Sequence, residues 1–199
     1  IATGATPRPL GVPGEQEFIG RGVSYCATCD GFFFRDQEII VVGGGDSAFQ
    51  EALFLTKFGK RVRIIHRRDS FRAGATLQRY ARENPRIELV TNTVIEAIHG
   101  SSKVDSVTRK DTVTGATRRT DVGGVFVFIG HDPNSELFQG QLAMDDHGYV
   151  TVDGRLTTSV PGVFAAGEIH DRIFKQAITS AGFGCQAALG VERFLADAG

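Results

Sequence analysis

Short apolar runs and helical apolar spacing alternate in the first half of the chain. Residues 38–42 form a β-rich apolar run, and three glycines follow it directly. Apolar side chains then recur at helical spacing, at Ala48, Ala52 and Leu55, before a second apolar run over residues 62–65. This order predicts a strand, helix, strand unit of the kind that builds parallel sheets.

The remaining pattern predicts one short helix, several strands and one long helix. Helical spacing over residues 74–83 ends at Asn84-Pro85. Four β-like runs then predict a β-meander inserted before a last core strand, namely residues 87–90, 94–98, 104–108 and 125–129. The C-terminal part predicts strands over residues 149–152 and 163–166, followed by a helix over residues 174–196.

Two stretches break this pattern and predict domain boundaries. The first is crowded with helix- and strand-breaking residues: Pro7, Pro9, Gly11, Pro13 and Gly14. The second is Gly130-His131-Asp132-Pro133-Asn134. We therefore expect residues 8–130 to form one complete domain, with residues 1–7 and 131–199 as parts of another. The chain opens with Ile1 inside a predicted strand end, which predicts that it begins in mid-domain.

Composition narrows the classes of function. The chain has 199 residues, 41% of them apolar, enough for one large core or two modest ones. Its 22 basic and 23 acidic side chains nearly cancel, which argues against a nucleic acid or a membrane surface as partner. Three cysteines and no long apolar run favour a protein of the reducing cytoplasm. No metal site is predicted.

The three glycines carry the first chemical signal. Gly43, Gly45 and Ala48 fit the pattern G-x-G-x-x-A between a strand and a helix, the context of a dinucleotide site. The first glycine permits the tight turn, the second allows close approach of a pyrophosphate, and the small third residue lets the helix pack on the sheet. Asp46 and Ser47 open the helix, whose N-terminal N–H groups would face the phosphates.

The residues after the second strand indicate which dinucleotide binds. A site for NAD would carry an acidic residue there, whereas this chain has His66, Arg67 and Arg68, with Arg72 close behind. Guanidinium groups bind a 2′-phosphate bidentately, so the sequence predicts NADPH. The alternative is an ordinary solvated basic turn.

The sequence Cys26-Ala27-Thr28-Cys29 carries the second signal. Such a pair is either redox-active or half of a metal site, and the third cysteine, Cys185, has no ligand partner at suitable spacing. We therefore predict a catalytic dithiol, with Asp30 as its proton donor and acceptor. Asp30 could instead be a helix cap. The run of residues 32–34, all Phe, is expected to give the thiols an apolar flank.

Five motifs occur in one order, beginning at Cys26 (Cys-Ala-Thr-Cys-Asp-Gly-Phe), Gly43 (Gly-Gly-Gly-Asp-Ser-Ala), His66 (His-Arg-Arg-Asp-Ser-Phe-Arg-Ala), Pro161 (Pro-Gly-Val-Phe-Ala-Ala-Gly) and Gln176 (Gln-Ala-Ile-Thr-Ser-Ala-Gly). Through them the sequence resembles the low-molecular-weight NADPH-dependent thioredoxin reductases over essentially its whole length. The resemblance implies an α/β fold: a Rossmann-like, three-layer NADPH domain inserted into a split FAD-binding domain, of which mainly the C-terminal part is present.

The same resemblance implies a cytoplasmic homodimer that passes electrons from NADPH through FAD and the Cys26–Cys29 disulfide to thioredoxin. Asp171 and Gln176 would lie near the ribityl chain and flavin. The residues implied to line FAD are Ala2, Thr3, Gly4, Gly167, Glu168, Ile169, His170, Asp171, Arg172, Ile173, Phe174, Lys175, Gln176 and Ala177. A core stripe of the following helix would comprise Ile178, Ala181, Cys185, Ala188 and Leu189.

Two departures from the family pattern carry consequences. Glu168 stands where the family usually has Asp, one methylene shorter. The family's N-terminal half-domain, with its own glycine motif for FAD, is absent from these residues, so we expect this polypeptide alone to bind FAD poorly. Two other functions stay open: the flavoprotein reductase of an alkyl hydroperoxide system, and a non-catalytic NADPH-binding redox module. The basic residues at 66–72 disfavour a ferredoxin-driven relative.

Overall fold

The computed structural model describes residues 1–198. Its strands are β1 (Ala5–Pro7), β2 (Val23–Ser24), β3 (Glu38–Val42), β4 (Arg61–Ile65), β5 (Ile87–Val90), β6 (Thr93–Gly100), β7 (Val104–Asp111), β8 (Thr117–Asp121), β9 (Gly124–Val127) and β10 (His131–Pro133). Its α-helices are α1 (Ala27–Asp30), α2 (Asp46–Leu55), α3 (Ala75–Glu83) and α4 (Ala177–Ala198). Three short 3-10 helices span Gly31–Phe34, Glu136–Phe138 and Gly167–Ile169.

The chain divides into two compact units. The larger is Arg8–Gly130, and the smaller combines Ile1–Pro7 with His131–Gly199. The larger unit is built on a five-stranded sheet in the order β2-β9-β3-β4-β5, in which every neighbouring pair is parallel. The predicted α/β class with a parallel sheet is therefore confirmed.

The larger unit has three layers because the side chains of β3 alternate between two cores. Ile39 and Val41 pack with the apolar face of α2, whereas Ile40 and Val42 pack with apolar residues of β6 and β7. Both faces of this strand are buried, which explains its continuous apolar sequence. One outer layer is helical, and the other is the antiparallel sheet β6-β7-β8.

The predicted meander was wrong about its first strand, and its last strand, β8, was not predicted at all. The run at residues 87–90 is β5, which pairs in parallel with β4 at the sheet edge. Helix α3 lies between β4 and β5 in the chain, so it provides the crossover that a parallel pair needs. The meander instead ends in β8, which was not predicted because its sequence, Thr-Arg-Arg-Thr-Asp, has no apolar alternation.

Both stretches predicted to be irregular contain a short strand. β1 and β10 pair antiparallel, with Ala5 opposite Pro133 and Pro7 opposite His131. Each proline lies at a strand end of a two-stranded sheet, where the missing N–H does not break a longer ladder. The first stretch is irregular after Pro7, as predicted, because residues 8–12 form no helix or strand, whereas residues His131–Pro133 of the second stretch form β10.

The two strands predicted over residues 149–152 and 163–166 do not form ladders. The structure has only isolated bridges there, Met144 with Val150 and Thr157 with Phe164. The backbone groups of these residues form separate hydrogen bonds to other segments instead; for example, Ala166 N–H donates to the Ile1 carbonyl at 2.9 Å. The apolar sequence predicted burial correctly, but a strand also needs a partner along its length.

Helix α4 was predicted correctly as one long helix, but its packed face was not. Ile178 and Leu189 of the predicted core stripe are 79% and 49% exposed, and Cys185 is also exposed. Phe183 and Phe194 pack instead, against His170 and Phe164. The helix carries apolar residues on both faces, so periodicity alone does not identify the packed one. Within the described residues, no helix combines the length and apolarity that crossing a bilayer requires.

Candidate redox and nucleotide sites

The two motif cysteines form a disulfide directly after a strand of the parallel sheet. Cys26 is the N-cap of α1, and the backbone N–H of Cys29 donates to Cys26 Sγ at 3.1 Å. Cys29 is exposed, whereas Cys26 is half-buried. The disulfide is thus within reach of an external thiol, while the short helix fixes the spacing of the two sulfurs. Among residues 1–198, no group of three or more His, Cys, Asp or Glu side chains is arranged to hold a metal ion.

The carboxylate of Asp30 points back toward the strand that precedes the cysteines. Its Oδ2 accepts a 2.6 Å hydrogen bond from the hydroxyl of Ser24, which is 4% exposed. Asp30 precedes the 3-10 helix Gly31–Phe34 but makes no capping hydrogen bond with its side chain. The helix-cap alternative is therefore not supported, and the carboxylate is held next to the cysteine turn.

The predicted apolar flank is only partly formed. Phe34 is buried, with its ring centre 4.9 Å from that of Phe126, but Phe32 and Phe33 are 59% and 71% exposed. A 3-10 helix turns about 120° per residue, so only one of three consecutive side chains can face the core. Two aromatic rings therefore remain at the surface beside the disulfide.

The glycine turn connects β3 to α2 and leaves no room for side chains at Gly43 and Gly44. A Cβ on Gly43 would collide with the carbonyl oxygen of Phe128 and the methyl group of Ala48. Ala48 is completely buried, in agreement with its predicted packing role. Gly45 is different, because a Cβ there would meet nothing within 4 Å. The turn is thus tight on its sheet side and open at the N-cap of α2.

The basic residues lie on a loop that is fastened to the glycine turn. Arg72 N–H and Ala73 N–H donate to the Gly44 carbonyl at 2.7 and 3.0 Å. Gly74 N–H donates to Oδ1 of Asp46, the first residue of α2, at 2.7 Å. Three hydrogen bonds therefore hold the loop beside the N-terminus of α2.

The guanidinium groups on this loop face solvent. Arg67, Arg68 and Arg72 are exposed, and none forms an ion pair with a carboxylate in the part of the chain that the structure describes. Ser47, in the first turn of α2, is exposed as well. The loop therefore offers positive charge that the protein itself does not neutralise.

His66 lies beneath this loop rather than among the exposed charges. Its ring is 8% exposed, packs 5.5 Å from Phe71, and leaves Nε2 buried without a hydrogen-bond partner. Burial, together with the guanidiniums of the three neighbouring arginines, lowers the pKa of His66, so the ring is neutral near pH 7. An unpaired buried nitrogen, an open N-cap and uncompensated arginines together fit a nucleotide phosphate ligand.

The segment implied to line FAD lies in the smaller unit, between Ala166 and α4. Gly167 has φ +78°, in the left-handed region, and starts the 3-10 helix that contains Glu168 and the buried Ile169. His170 Nε2 is buried without a partner. Ile173, the neighbouring Phe174 and Ala177 expose apolar surface. Unsatisfied polar and exposed apolar groups side by side fit a large ligand such as a flavin.

Two charged residues of this segment, Asp171 and Arg172, already have partners within the chain. The carboxylate of Asp171 accepts hydrogen bonds from N–H of Ile173, Phe174 and Lys175 at 2.9 to 3.0 Å. Burial alone would raise the pKa of Asp171, but these donors hold it below its usual value. Arg172 pairs with Asp145 at 2.6 Å. These contacts shape the loop that leads from Gly167 to Gln176 at the start of α4.

Also in the smaller unit, one asparagine forms hydrogen bonds to the first residues of the chain. Asn134 Nδ2 donates to the Thr3 carbonyl, and Thr3 Oγ1 donates to the Asn134 carbonyl, both at 2.8 Å. Asn134 N–H donates to the Gly4 carbonyl at 2.9 Å. Ala2 is exposed beside them. The position of these residues is thus set by β10 and the loop after it.

Sequence reasoning missed three polar residues around the cysteine turn. Ser24 bonds to Asp30, as described above. Glu15 is 1% exposed and accepts hydrogen bonds from Leu10 N–H, Gly11 N–H and the Tyr25 hydroxyl at 2.7 to 2.8 Å. Glu51 on α2 accepts from Ala27 N–H, and burial raises its pKa. None of the three belongs to a recognisable motif, so only their spatial contacts reveal them.

Comparison with known proteins agrees with this arrangement. The family profile of the pyridine nucleotide-disulphide oxidoreductases matches residues 1–184. A thioredoxin reductase of Mycolicibacterium smegmatis is 58% identical over 99% of this chain and 64% of its own length. A bifunctional thioredoxin reductase/thioredoxin of Mycobacterium leprae is 52% identical over 99% of this chain and 43% of its own length.

A solved structure leads to the same group of proteins. The thioredoxin reductase of Streptococcus pyogenes superimposes with a TM-score of 0.94 at 42% identity, over 99% of this chain and 65% of that one. The sequence thus spans slightly less than two thirds of the Mycolicibacterium smegmatis and Streptococcus pyogenes proteins, and less than half of the bifunctional one.

Proposed function

The chain belongs to the pyridine nucleotide-disulphide oxidoreductase family, and we propose that it acts as the NADPH-binding and dithiol-bearing part of a thioredoxin reductase. The observation that carries this proposal is the Cys26–Cys29 disulfide in the same compact unit as the open glycine turn and its arginines. The unit Arg8–Gly130 would then carry both the binding site of the electron donor, NADPH, and the disulfide that finally accepts the electrons.

We assign NADPH to the glycine turn and the basic loop. Gly43, Gly45, Asp46, Ser47 and Ala48 would place the pyrophosphate at the N-terminus of α2, where N–H groups and the helix dipole favour an anion. The 2′-phosphate would lie against the guanidiniums of Arg67, Arg68 and Arg72, with His66 Nε2 as a neutral partner. These groups would discriminate against NADH, which has no phosphate for them to bind.

We assign FAD to the smaller unit. FAD, when bound, supplies a two-electron carrier between NADPH and the disulfide. The residues that would hold it are those from Gly167 to Ala177, with Ala2, Thr3 and Gly4 nearby. His170 Nε2 offers it an unpaired polar atom, and the hydrogen bonds of Asp171 fix the loop it would contact. Glu168 would contact FAD with a side chain one methylene longer than the Asp that the family usually has at this position.

The dithiol would transfer its electrons by thiol–disulfide exchange. The thiolate of one cysteine attacks the partner's disulfide, whose S–S bond breaks as a mixed disulfide forms; the second thiol then displaces the partner and restores the Cys26–Cys29 bond. Two electrons leave this chain, and the partner gains two thiols. Asp30 would take the proton from the attacking thiol and give it to the departing one. This role suits a carboxylate held beside the cysteine turn.

The surface around the disulfide suits a protein substrate. Phe32 and Phe33 expose two aromatic rings, and the guanidinium of Arg35 lies 4.9 Å from the Phe32 ring centre. Exposed aromatic and arginine side chains are typical of protein interfaces. The names of the relatives identify thioredoxin as the partner of those enzymes, and we propose it as the partner here. A cytoplasmic homodimer is part of the same proposal.

The test is NADPH consumption by the protein with oxidised thioredoxin, in the presence of FAD at a concentration that saturates weak binding. We expect consumption that requires thioredoxin and is abolished by Cys26→Ser or Cys29→Ser. Consumption that requires a thioredoxin-like region of a peroxide-reducing system, but not thioredoxin, would instead identify an alkyl hydroperoxide reductase. A colourless protein that binds NADPH and exchanges no disulfide would contradict the proposal and support a non-catalytic redox module.

A further inference from the structure

Ser24 is the last residue of β2, and its buried hydroxyl contacts three polar atoms of the cysteine turn. Its Oγ lies 2.6 Å from Asp30 Oδ2 and 3.2 Å from the Cys26 carbonyl oxygen, and it accepts from Cys26 N–H at 3.0 Å. The side chain is 4% exposed, so solvent does not compete freely for these contacts. One hydroxyl thus connects the carboxylate of Asp30 to both backbone groups of Cys26.

A hydroxyl has one hydrogen and two lone pairs, so it can donate to only one of its two oxygen neighbours at a time. While Asp30 is a carboxylate, the hydrogen belongs on the 2.6 Å contact to Oδ2, since a charged acceptor makes the stronger bond. Cys26 N–H occupies one lone pair of Ser24 Oγ in this state. In this state the Ser24 hydroxyl, Asp30 Oδ2 and the Cys26 N–H each have a hydrogen-bond partner.

The same geometry also satisfies the other protonation state. If Asp30 takes up a proton on Oδ2, that O–H can donate to the second lone pair of Ser24 Oγ. The Ser24 hydrogen then turns to the Cys26 carbonyl oxygen at 3.2 Å. No heavy atom has to move, and no buried donor or acceptor loses its partner, a loss that would otherwise oppose the proton transfer.

We propose that Ser24 is a positioning residue whose hydroxyl reorients between Asp30 and the Cys26 carbonyl oxygen as Asp30 takes up and releases protons of the dithiol. The inference rests on the proposed function, in which Asp30 carries those protons. In this proposal Ser24 acts on the proton transfer through Asp30, to which its hydroxyl is hydrogen-bonded. A merely structural serine, by contrast, would hold the cysteine turn equally well whatever residue stood at position 30.

The experiment is a double-mutant cycle on the reduction of the Cys26–Cys29 disulfide by dithiothreitol, with Ser24→Ala, Asp30→Asn and the double variant. This reaction needs neither flavin nor nucleotide, because the external dithiol supplies both electrons. We expect Asp30→Asn to slow reduction about 100-fold, as for loss of a general acid. Ser24→Ala should slow it about tenfold, as for loss of one hydrogen bond to a charged group. In the Asp30→Asn background, Ser24→Ala should have almost no further effect.

Ser106→Ala is the matched control. Ser106 is equally buried, and its hydroxyl donates to a carboxylate oxygen of Asp105 at the same distance, 2.6 Å, but it lies on β7 of the meander. This variant should reduce at the unaltered rate. Ser24→Thr, which keeps a hydroxyl, should restore most of the rate lost in Ser24→Ala. If the threonine variant proves unstable, the double-mutant cycle still decides the question.

Each outcome has a distinct meaning. Equal slowing by Ser24→Ala in both backgrounds would show a structural role for Ser24 and overturn the inference. An unchanged rate in Ser24→Ala, beside a slow rate in Asp30→Asn, would show that Ser24 has no role in the proton transfer and would overturn it too. In neither case is the assignment of Asp30 affected. If Asp30→Asn itself reduces at the normal rate, the proton role of Asp30 fails and the role of Ser24 fails with it.

Discussion

The imidazole ring of His66 occupies the space that a side chain on Gly44 would need. A Cβ built on Gly44 would collide with three atoms of that ring, whereas one built on Gly45 meets nothing. The central glycine of the turn therefore packs against the first residue after β4, and the third leaves space for a ligand. This contact ties the nucleotide turn to the loop that carries the arginines.

The first prediction is that Gly44→Ala destabilises the fold and Gly45→Ala does not. Overpacking against His66 should cost about 1–3 kcal/mol of unfolding free energy, measured by chemical denaturation. Gly45→Ala should unfold like the parent chain, yet bind NADPH at least about tenfold more weakly, because its methyl group would enter the space assigned to the pyrophosphate. Unchanged NADPH affinity in Gly45→Ala would contradict the site.

The second prediction concerns the choice between NADPH and NADH. Removing a guanidinium, by Arg67→Ala or Arg68→Ala, should weaken NADPH binding about 10- to 100-fold, the loss expected for charge-assisted hydrogen bonds to phosphate. NADH binding should not change. Isothermal titration calorimetry measures both, and Arg79→Ala is the control, since Arg79 is an exposed arginine paired with Glu83 on α3. Equal losses for the two nucleotides would argue against a 2′-phosphate contact.

The sequence predicted best those elements whose burial is total. β3 has a continuous apolar run after Glu38 because both faces of the sheet are covered there, and β4 is recognisable from its buried Val62, Ile64 and Ile65 although Arg63 interrupts the run. β8 was missed because its polar strand depends on backbone bonds to β7. The packed face of α4 was mistaken because apolar residues occur around the helix. In both errors, the deciding contacts lie outside the segment itself, so its own pattern of apolar and polar residues does not encode them.

The candidate site divides in the same way. Cys26, Cys29 and the glycine turn were identified because their chemistry needs fixed residue types at fixed spacing. Ser24 and Glu15 were not, because a buried hydroxyl or carboxylate acquires its role from contacts that no local pattern encodes. The neutral, buried state of His66 was also beyond prediction, since it depends on packing against Phe71 and Gly44.

The third prediction separates a protein substrate from a small one. Phe33→Ala should slow exchange between the reduced dithiol and thioredoxin about tenfold, the effect of truncating an aromatic anchor at an interface. Reduction of the same variant by dithiothreitol should not change, because Phe33 is 71% exposed and supports no core. Val113→Ala, at a residue 74% exposed in the meander, is the control. Equal slowing of both reactions, the reduction of thioredoxin by this chain and the reduction of this chain by dithiothreitol, would point to a disturbed cysteine turn.

The fourth prediction is a loss of stability on mild acidification. Burial lowers the pKa of His66, His131 and His170, that of His131 to about 4 with a contribution from the nearby charge of Lys175. Between about pH 6.5, where an unfolded histidine titrates, and pH 4, the unfolded chain binds more protons. Unfolding free energy should therefore fall as pH falls through this window.

Thermal unfolding between pH 7.5 and 4.5 tests this dependence. His131→Gln removes one of the titrating groups, so its melting temperature should fall less steeply than that of the parent chain. His147→Gln, in an exposed turn, should leave the slope unchanged. A melting temperature that stays level across the window would show that these histidines are protonated in the folded state.

The central claim, that Cys26 and Cys29 are the thiols that reduce thioredoxin, is tested most directly by trapping a mixed disulfide. Cys26→Ser and Cys29→Ser variants, each also carrying Cys185→Ser because Cys185 is exposed, would be mixed with a thioredoxin that keeps one active-site cysteine, activated by thionitrobenzoate. We expect at least one variant to release thionitrobenzoate and form a stable covalent complex, much faster than a chain in which Cys185 is the only cysteine. If neither variant forms the complex faster than that control, the account is contradicted.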